Sequence, residues 1–156
     1  METLIFGLGN SLCSDDGIGI RVALELKKDK FFRTENIAIK SGNIEPFDLL
    51  AVINGYGYLI IIDAISTEKG RPGDVHYINL EDLPSYPLRI SHGVDLKTAI
   101  MIGKESYKMP KIIDIYAIEI KDTITFRESL TEDLEQKLPA IVNEIAMGIK
   151  KDLNLG

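Results

Sequence analysis

Tyr58-Leu59-Ile60-Ile61-Ile62-Asp63-Ala64 is the stretch that decides the fold. Five apolar residues in a row, three of them isoleucine, end at an aspartate. Such a strand has no polar face, so both of its sides must be covered. That is the situation of a central strand in a parallel sheet with helices above and below. Upstream, Leu4-Ile5-Phe6 reads as a short buried strand ending in Gly7-Leu8-Gly9. From Ile18 the period becomes helical: Gly19, Val22, Ala23 and Leu26 share one face, while Arg21, Glu25 and Lys28 share the other. Asn36 to Lys40 reads as a second strand, and Glu45 to Ile53 as a helix with Pro46 in its first turn.

Downstream, Gly70 to Asp74 is a turn and Val75 to Leu80 a strand. The segment from Glu81 to Ser91 carries Pro84 and Pro87 and is expected to be irregular. A helix over Val94 to Lys104 and a strand over Ile112 to Ile120 follow. Thr131 to Leu153 is a long amphipathic helix with Leu134, Leu138, Ile141, Val142, Ile145 and Ile149 as its buried stripe, bent at Pro139. Strands alternating with helices predict a single three-layer α/β/α domain over residues 1–156, with a mostly parallel central sheet of about five strands.

A length of 156 residues suits one core, and 45% hydrophobic with 27% charged residues is ordinary for a globular protein. The 18 basic residues are outnumbered by 24 acidic ones, and they cluster no further than pairs. A nucleic-acid groove or an anionic membrane surface needs a concentrated positive field, so neither is expected. One cysteine, Cys13, cannot form an internal disulfide. The N-terminal residues lack the basic start and long apolar core of a signal peptide, and no apolar run approaches the roughly 20 residues of a membrane span. A soluble cytoplasmic protein is the expectation.

Three separated stretches carry chemistry. Gly7-x-Gly9 follows a strand, but a dinucleotide fingerprint needs a third glycine where Leu12 stands and an acid where Lys40 closes the second strand. The plain reading is a tight strand-to-helix turn. A nucleotide-binding protein remains a hypothesis that calorimetry with a dinucleotide would close. Ser14 is a candidate N-cap, and Asp15 and Asp16 suit the positive end of the following helix, where one of them does only that. Asp63 closes the central strand at the edge where open α/β sheets place ligands, with a turn-forming role as the alternative. His92 lies in a loop before a helix, whereas His76 alternates within a strand and reads as a structural or surface residue.

Asp16, Asp63 and His92 would meet at one sheet edge in a parallel topology. Carboxylates with an imidazole suit nickel, zinc or iron, and three ligands leave positions open. Cys13 reads as a small buried filler, with a fourth-ligand or nucleophile role as the alternative. Neither a His-Glu-x-x-His zinc motif nor a Gly-x-Ser-x-Gly elbow is present.

At these residues the chain resembles the nickel–iron hydrogenase maturation endopeptidases. The resemblance runs through Gly7-x-Gly9-Asn10-x-Leu12-x-x-Asp15-Asp16-Gly17-x-Gly19, Ser41-Gly42-Asn43, Asp48-Leu49-Leu50, Leu59 to Ala64, Pro72-Gly73-Asp74 and Ser91-His92-Gly93-Val94-Asp95-Leu96. It implies an aspartyl-type endopeptidase that removes a C-terminal extension from the hydrogenase large-subunit precursor after nickel has been inserted. It selects Asp16, Asp63 and His92 as the metal-contacting and catalytic positions. The nickel would belong to the substrate rather than being stably bound. Gly42 and Asn43, beside the sheet edge, are candidates for substrate contact. Two departures bear on the substrate tail: Lys40-Ser41 where the family often has an acid, and Ala117-Ile118-Glu119-Ile120 where it usually has a Gly-Ile-Gln/Glu-Pro element. A different class of function, a nickel-binding chaperone or adaptor that docks on the large subunit without cutting it, would leave the precursor mass unchanged.

Overall fold

The strongest apolar run does lie at the centre. In the computed structural model, which describes residues 1–85, 89–90, 93–121 and 125–153, β3 (Tyr58–Ser66) pairs in parallel with β1 (Thr3–Leu8) on one side and β6 (Ile112–Glu119) on the other. β2 (Ile37–Gly42) extends the sheet beyond β1 in parallel, and β4 (Val75–Asn79) closes the opposite side antiparallel to β6. The strand order is β2-β1-β3-β6-β4, with the two-residue β5 (Arg89–Ile90) pairing antiparallel to the end of β3. A mostly parallel sheet of five principal strands is what the pattern predicts.

Alternation divides the central strand between two cores. Tyr58, Ile60, Ile62 and Ala64 pack with α1 (Ile18–Leu26) and α4 (Glu132–Asp152). Leu59, Ile61 and Ile65 pack with α2 (Pro46–Ile53) and α3 (Gly93–Gly103). Ile60, Leu59 and Ile62 are all fully buried, and burial of each such side chain is worth about 1.5–3 kcal/mol against exposure. α4 continues through Pro139 because its stripe, Leu134, Leu138, Ile141, Ile145 and Ile149, is buried along the whole length. That packing outweighs one lost backbone hydrogen bond.

Several local expectations shift. β3 runs on to Ser66, so Asp63 lies inside the strand rather than after it. β2 runs from Ile37 to Gly42, so it takes in Ser41 and Gly42 beyond the Lys40 at which the second strand was expected to end. β4 stops at Asn79, one residue short of the expected Leu80, and a 3-10 helix over Leu80–Ser85 takes up Leu80 and the first residues of the segment expected to be irregular. None of the described helices is long and apolar enough to cross a membrane.

Candidate functional site

Asp16 and Asp63 reach the same edge because α1 packs unusually close to the strands. A Cβ on Gly19 would stand 2.4 Å from the carbonyl oxygens of both Ile62 and Leu8, a distance no real side chain tolerates. Only glycine lets the first turn of α1 sit directly over the ends of β1 and β3. Gly9 adds a second requirement, with φ of +153° and the Asp16 carbonyl 2.2 Å from where its Cβ would be. Gly9, read from sequence as part of a tight turn, and Gly19, read as part of the buried face of the helix, are thus both close-packing positions that hold residue 16 near β3.

The two adjacent aspartates of the site loop have opposite fates. Asp15 is fully buried. Its carboxylate accepts hydrogen bonds from the Thr131 N–H at 2.7 Å, the Thr131 hydroxyl at 3.2 Å and the Lys121 N–H at 3.3 Å. It therefore ties the site loop to the end of β6 and the start of α4. Asp16 is half-buried, and its Oδ2 accepts from the Asn10 N–H at 2.9 Å. Asn10 is held in turn through its Oδ1, which accepts from the Leu12 N–H at 3.0 Å. Ser14 does not cap the helix: it has φ of +48°, the one non-glycine positive φ among the described residues, and its buried hydroxyl has no partner there. The N-cap position of α1 is Gly17. The positive φ turns the chain between Cys13 and Asp15, and a residue held in that region costs about 1–3 kcal/mol, which the surrounding bonds must offset.

Asp63 is only 1% exposed, and its Oδ1 accepts from the Ala64 N–H at 2.8 Å. Burial pushes its carboxyl up from the ordinary value of 3.8 to about 8, with the Ala64 hydrogen bond opposing the shift and the negative charge of Asp16 adding to it. The two carboxylates are thus close enough to sense each other, and Asp63 holds a proton at neutral pH. In the alternation of β3, Asp63 falls on the face of Leu59, Ile61 and Ile65, which is the α2/α3 side. Asp16 arrives from the α1 side. His92 lies outside the described residues; α3 begins one residue later, at Gly93. Among the described residues no group of three His, Cys, Asp or Glu could hold a metal, so the site there amounts to the carboxylate pair.

Gly42 ends β2 opposite Leu8, and a Cβ on it would meet nothing within 4 Å. It lies at the same edge as Asp63, since Ile62 and Ser41 both pair with Gly7. Asn43 beside it is exposed. Cys13 is half-buried and free, and its backbone forms a single parallel bridge with Arg127.

The Ala117-Ile118-Glu119-Ile120 departure has a structural account. Glu119 is 1% exposed and accepts from the Thr67 N–H at 3.2 Å and from the Thr67 hydroxyl. His76 Nε2 sits 3.2 Å from the same carboxylate. Glu119 thus binds the loop after β3 to β4, and of the structural and surface readings of His76 this contact favours the structural one. That role depends on residues 52 and 43 positions away in the chain, which leaves no local signal. A separate cavity of about 220 Å³ is lined by Lys97, Lys104, Lys111 and Ile112. It opens where β6 begins, at the opposite edge, and offers no carboxylate pair.

A family model described as hydrogenase maturation protease matches residues 20–147. The hydrogenase 2 maturation protease of Escherichia coli is 24% identical over 153 residues, covering 97% of this chain and 92% of that protein. The solved structure of the E. coli hydrogenase maturating endopeptidase HybD superposes with a TM-score of 0.80 at 21% identity, over 97% of this chain and 94% of the other. The [NiFe] hydrogenase maturation protease HybD of Thermococcus kodakarensis gives a TM-score of 0.66 at 27% identity, covering 96% of this chain and 99% of that one.

Proposed function

The chain belongs to the hydrogenase maturation protease family, and from that premise we propose that it cuts the C-terminal extension from a nickel-loaded hydrogenase large-subunit precursor, using Asp16, Asp63 and His92 to read the substrate's nickel. The single observation that carries this is the carboxylate pair: Asp63, buried in β3 with its carboxyl pushed up to about 8, within electrostatic reach of Asp16. Carboxylate oxygens suit a divalent first-row ion as ligands. Two from the protein, with the imidazole of His92, leave coordination positions for ligands that the precursor brings. The nickel is then part of the substrate and not a resident cofactor.

This chain's own groups make the site selective. Asp63 must lose its proton to act as a ligand, so docking of the metal-loaded precursor releases a proton that a nickel-free precursor cannot displace. A buried carboxylate beside a second negative charge is unfavourable in the absence of a cation, and that is the discrimination the task needs. Asn10 holds Asp16, and Asp15 holds the loop that carries both. Gly42 and Asn43, at the open end of β2, support the incoming chain. The protein acts in the cytoplasm.

The test is mass measurement on nickel-loaded and nickel-free precursor after incubation. Loss of the extension from the loaded form alone is expected, and Asp16→Ala, Asp63→Ala and His92→Ala should each abolish it. Full processing by all three variants, or equal cutting of the nickel-free form, would overturn the proposal. An uncut loaded precursor held in a stable complex would instead support the non-proteolytic adaptor, which no observation of its own favours here.

A further inference from the structure

The site loop is stitched to a second segment. Arg127 N–H donates to the Leu12 carbonyl at 2.8 Å, and Ser14 N–H donates to the Arg127 carbonyl at 2.8 Å. The Arg127 guanidinium donates to the carbonyls of Ser129 at 3.4 Å and Leu130 at 3.0 Å, so the second segment is fixed from its own side too. The backbone at residues 12–14 and 127 is therefore a small rigid platform.

Two large apolar side chains stand on or beside that platform in contact with water. Leu12 is 42% exposed, and Phe126 at 80% is the most exposed large hydrophobic among the described residues. Single exposed apolar residues are common and need no explanation. These two differ in being carried on adjacent, hydrogen-bonded segments beside the carboxylate pair. Leu12 N–H binds the Asn10 side chain, and Asn10 N–H binds Asp16. The apolar pair therefore begins two residues from the group that holds a site carboxylate.

We infer that Leu12 and Phe126 form a subsite that accepts an apolar side chain of the precursor's C-terminal extension, next to the bond that is cut. The inference rests on the proteolytic reading above and specifies which chemistry of tail the site takes. The occupant follows from continuity with the site. Leu12 is linked through Asn10 to Asp16, and Phe126 precedes the Arg127 that bridges Cys13, so a chain whose metal lies against Asp16 has this surface beside it, where an apolar side chain removes both from water. A charged side chain there would be desolvated without a partner.

The experiment uses the nickel-loaded precursor of the same organism. Wild-type protein and the exposed-site variants Leu12→Ser and Phe126→Ser are compared on the native extension and on extensions whose apolar residues are replaced one at a time by Ser. Wild-type protein should lose about ten-fold in kcat/KM, mostly through KM, at one extension position, the range expected for a missing apolar contact. The two variants should show a similar loss on the native extension and little further loss at that position. Variants that discriminate as wild type does, or an unchanged KM on the native extension, would overturn the subsite while leaving the protease in place. No cutting by wild-type protein would sink the proteolytic reading, and the subsite with it. Thermal melts of both variants should match wild type, because neither side chain is in the core.

Discussion

Two buried aspartates occupy the two ends of the same sheet, and they are treated in opposite ways. Asp114, near the start of β6, is 3% exposed and receives the Tyr58 hydroxyl, the Asn79 amide at 3.3 Å and the Tyr77 hydroxyl. Burial, together with these bonds to Asp114, raises the hydroxyl pKa of Tyr58 and Tyr77 far above the ordinary phenol range. Asp63, near the end of β3, is equally buried, yet among the described residues its one hydrogen bond comes from the neighbouring Ala64 N–H and its charged neighbour is another carboxylate. A carboxylate surrounded by donors is a structural joint. One left short of donors beside a like charge is poised for a cation, and its shifted pKa marks it as a functional candidate.

That contrast can be broken, most strongly by exchanging the roles. Asp63→Ala should reduce precursor processing by about a thousand-fold or more, within the range for removing a group that acts on the reacting centre, while a urea melt shows an intact fold. Asp114→Ala should do the reverse. It strands Tyr58 and Asn79 without an acceptor and should destabilise the protein by about 2–4 kcal/mol in the same melt. The processing rate per folded molecule should be preserved. A stability loss at Asp63 with none at Asp114 would invert the comparison.

pH sharpens it further. In metal-free protein the native Asp63 titrates near 8 against 3.8 for an ordinary aspartate. Below the lower value both folded and unfolded chains are protonated at this group. Between the two values only the unfolded chain ionises, so folding stability from Asp63 is lost as pH rises, and the loss is complete above about 8. Asp63→Asn should remove that slope and should be the more stable protein at pH 8.5, by a few kcal/mol, with little difference at pH 4. Parallel curves for the two proteins would show that Asp63 ionises normally. Nickel presented with the precursor should release a proton at neutral pH, which calorimetry in buffers of different ionisation enthalpy would detect.

The smallest effect belongs to the periphery of the Asp114 cluster. Tyr77 is half exposed, so Tyr77→Phe should cost only about 0.5–1 kcal/mol, the net worth of a typical hydrogen bond. A larger loss in thermal denaturation would mean that the cluster is more cooperative than its parts.

The fold was legible because it rests on periodicity. The apolar run at Tyr58–Ile62 could only be central, and the stripe from Leu134 to Ile149 could only be a packed helix face. The site was legible in part. Asp63 could be picked out from its place at the end of an apolar run, although the strand continues to Ser66 because Ile65 pairs with Glu119 and Ile90. Ser14 could not be read as a strained residue, since its φ is set by the Arg127 carbonyl and the turn it must make. The role of Glu119 depends on Thr67 and His76, neither of them near it in sequence.

The pair Asp15-Asp16 marks the division. The chain alone determined that two carboxylates would stand at the start of α1, near the edge of a parallel sheet, because hydrophobic spacing and glycine placement are local properties. It could not say which would be inside. That was decided by Thr131 and Lys121, 116 and 106 residues away, whose backbone N–H groups needed an acceptor in the interior and took Asp15. Asp16 was left half-buried within electrostatic reach of Asp63, where close packing at Gly19 holds the start of α1 against β1 and β3. Burial and long-range hydrogen bonding depend on residues that meet only in the folded chain, so they distinguish neighbours that the sequence presents as equivalent.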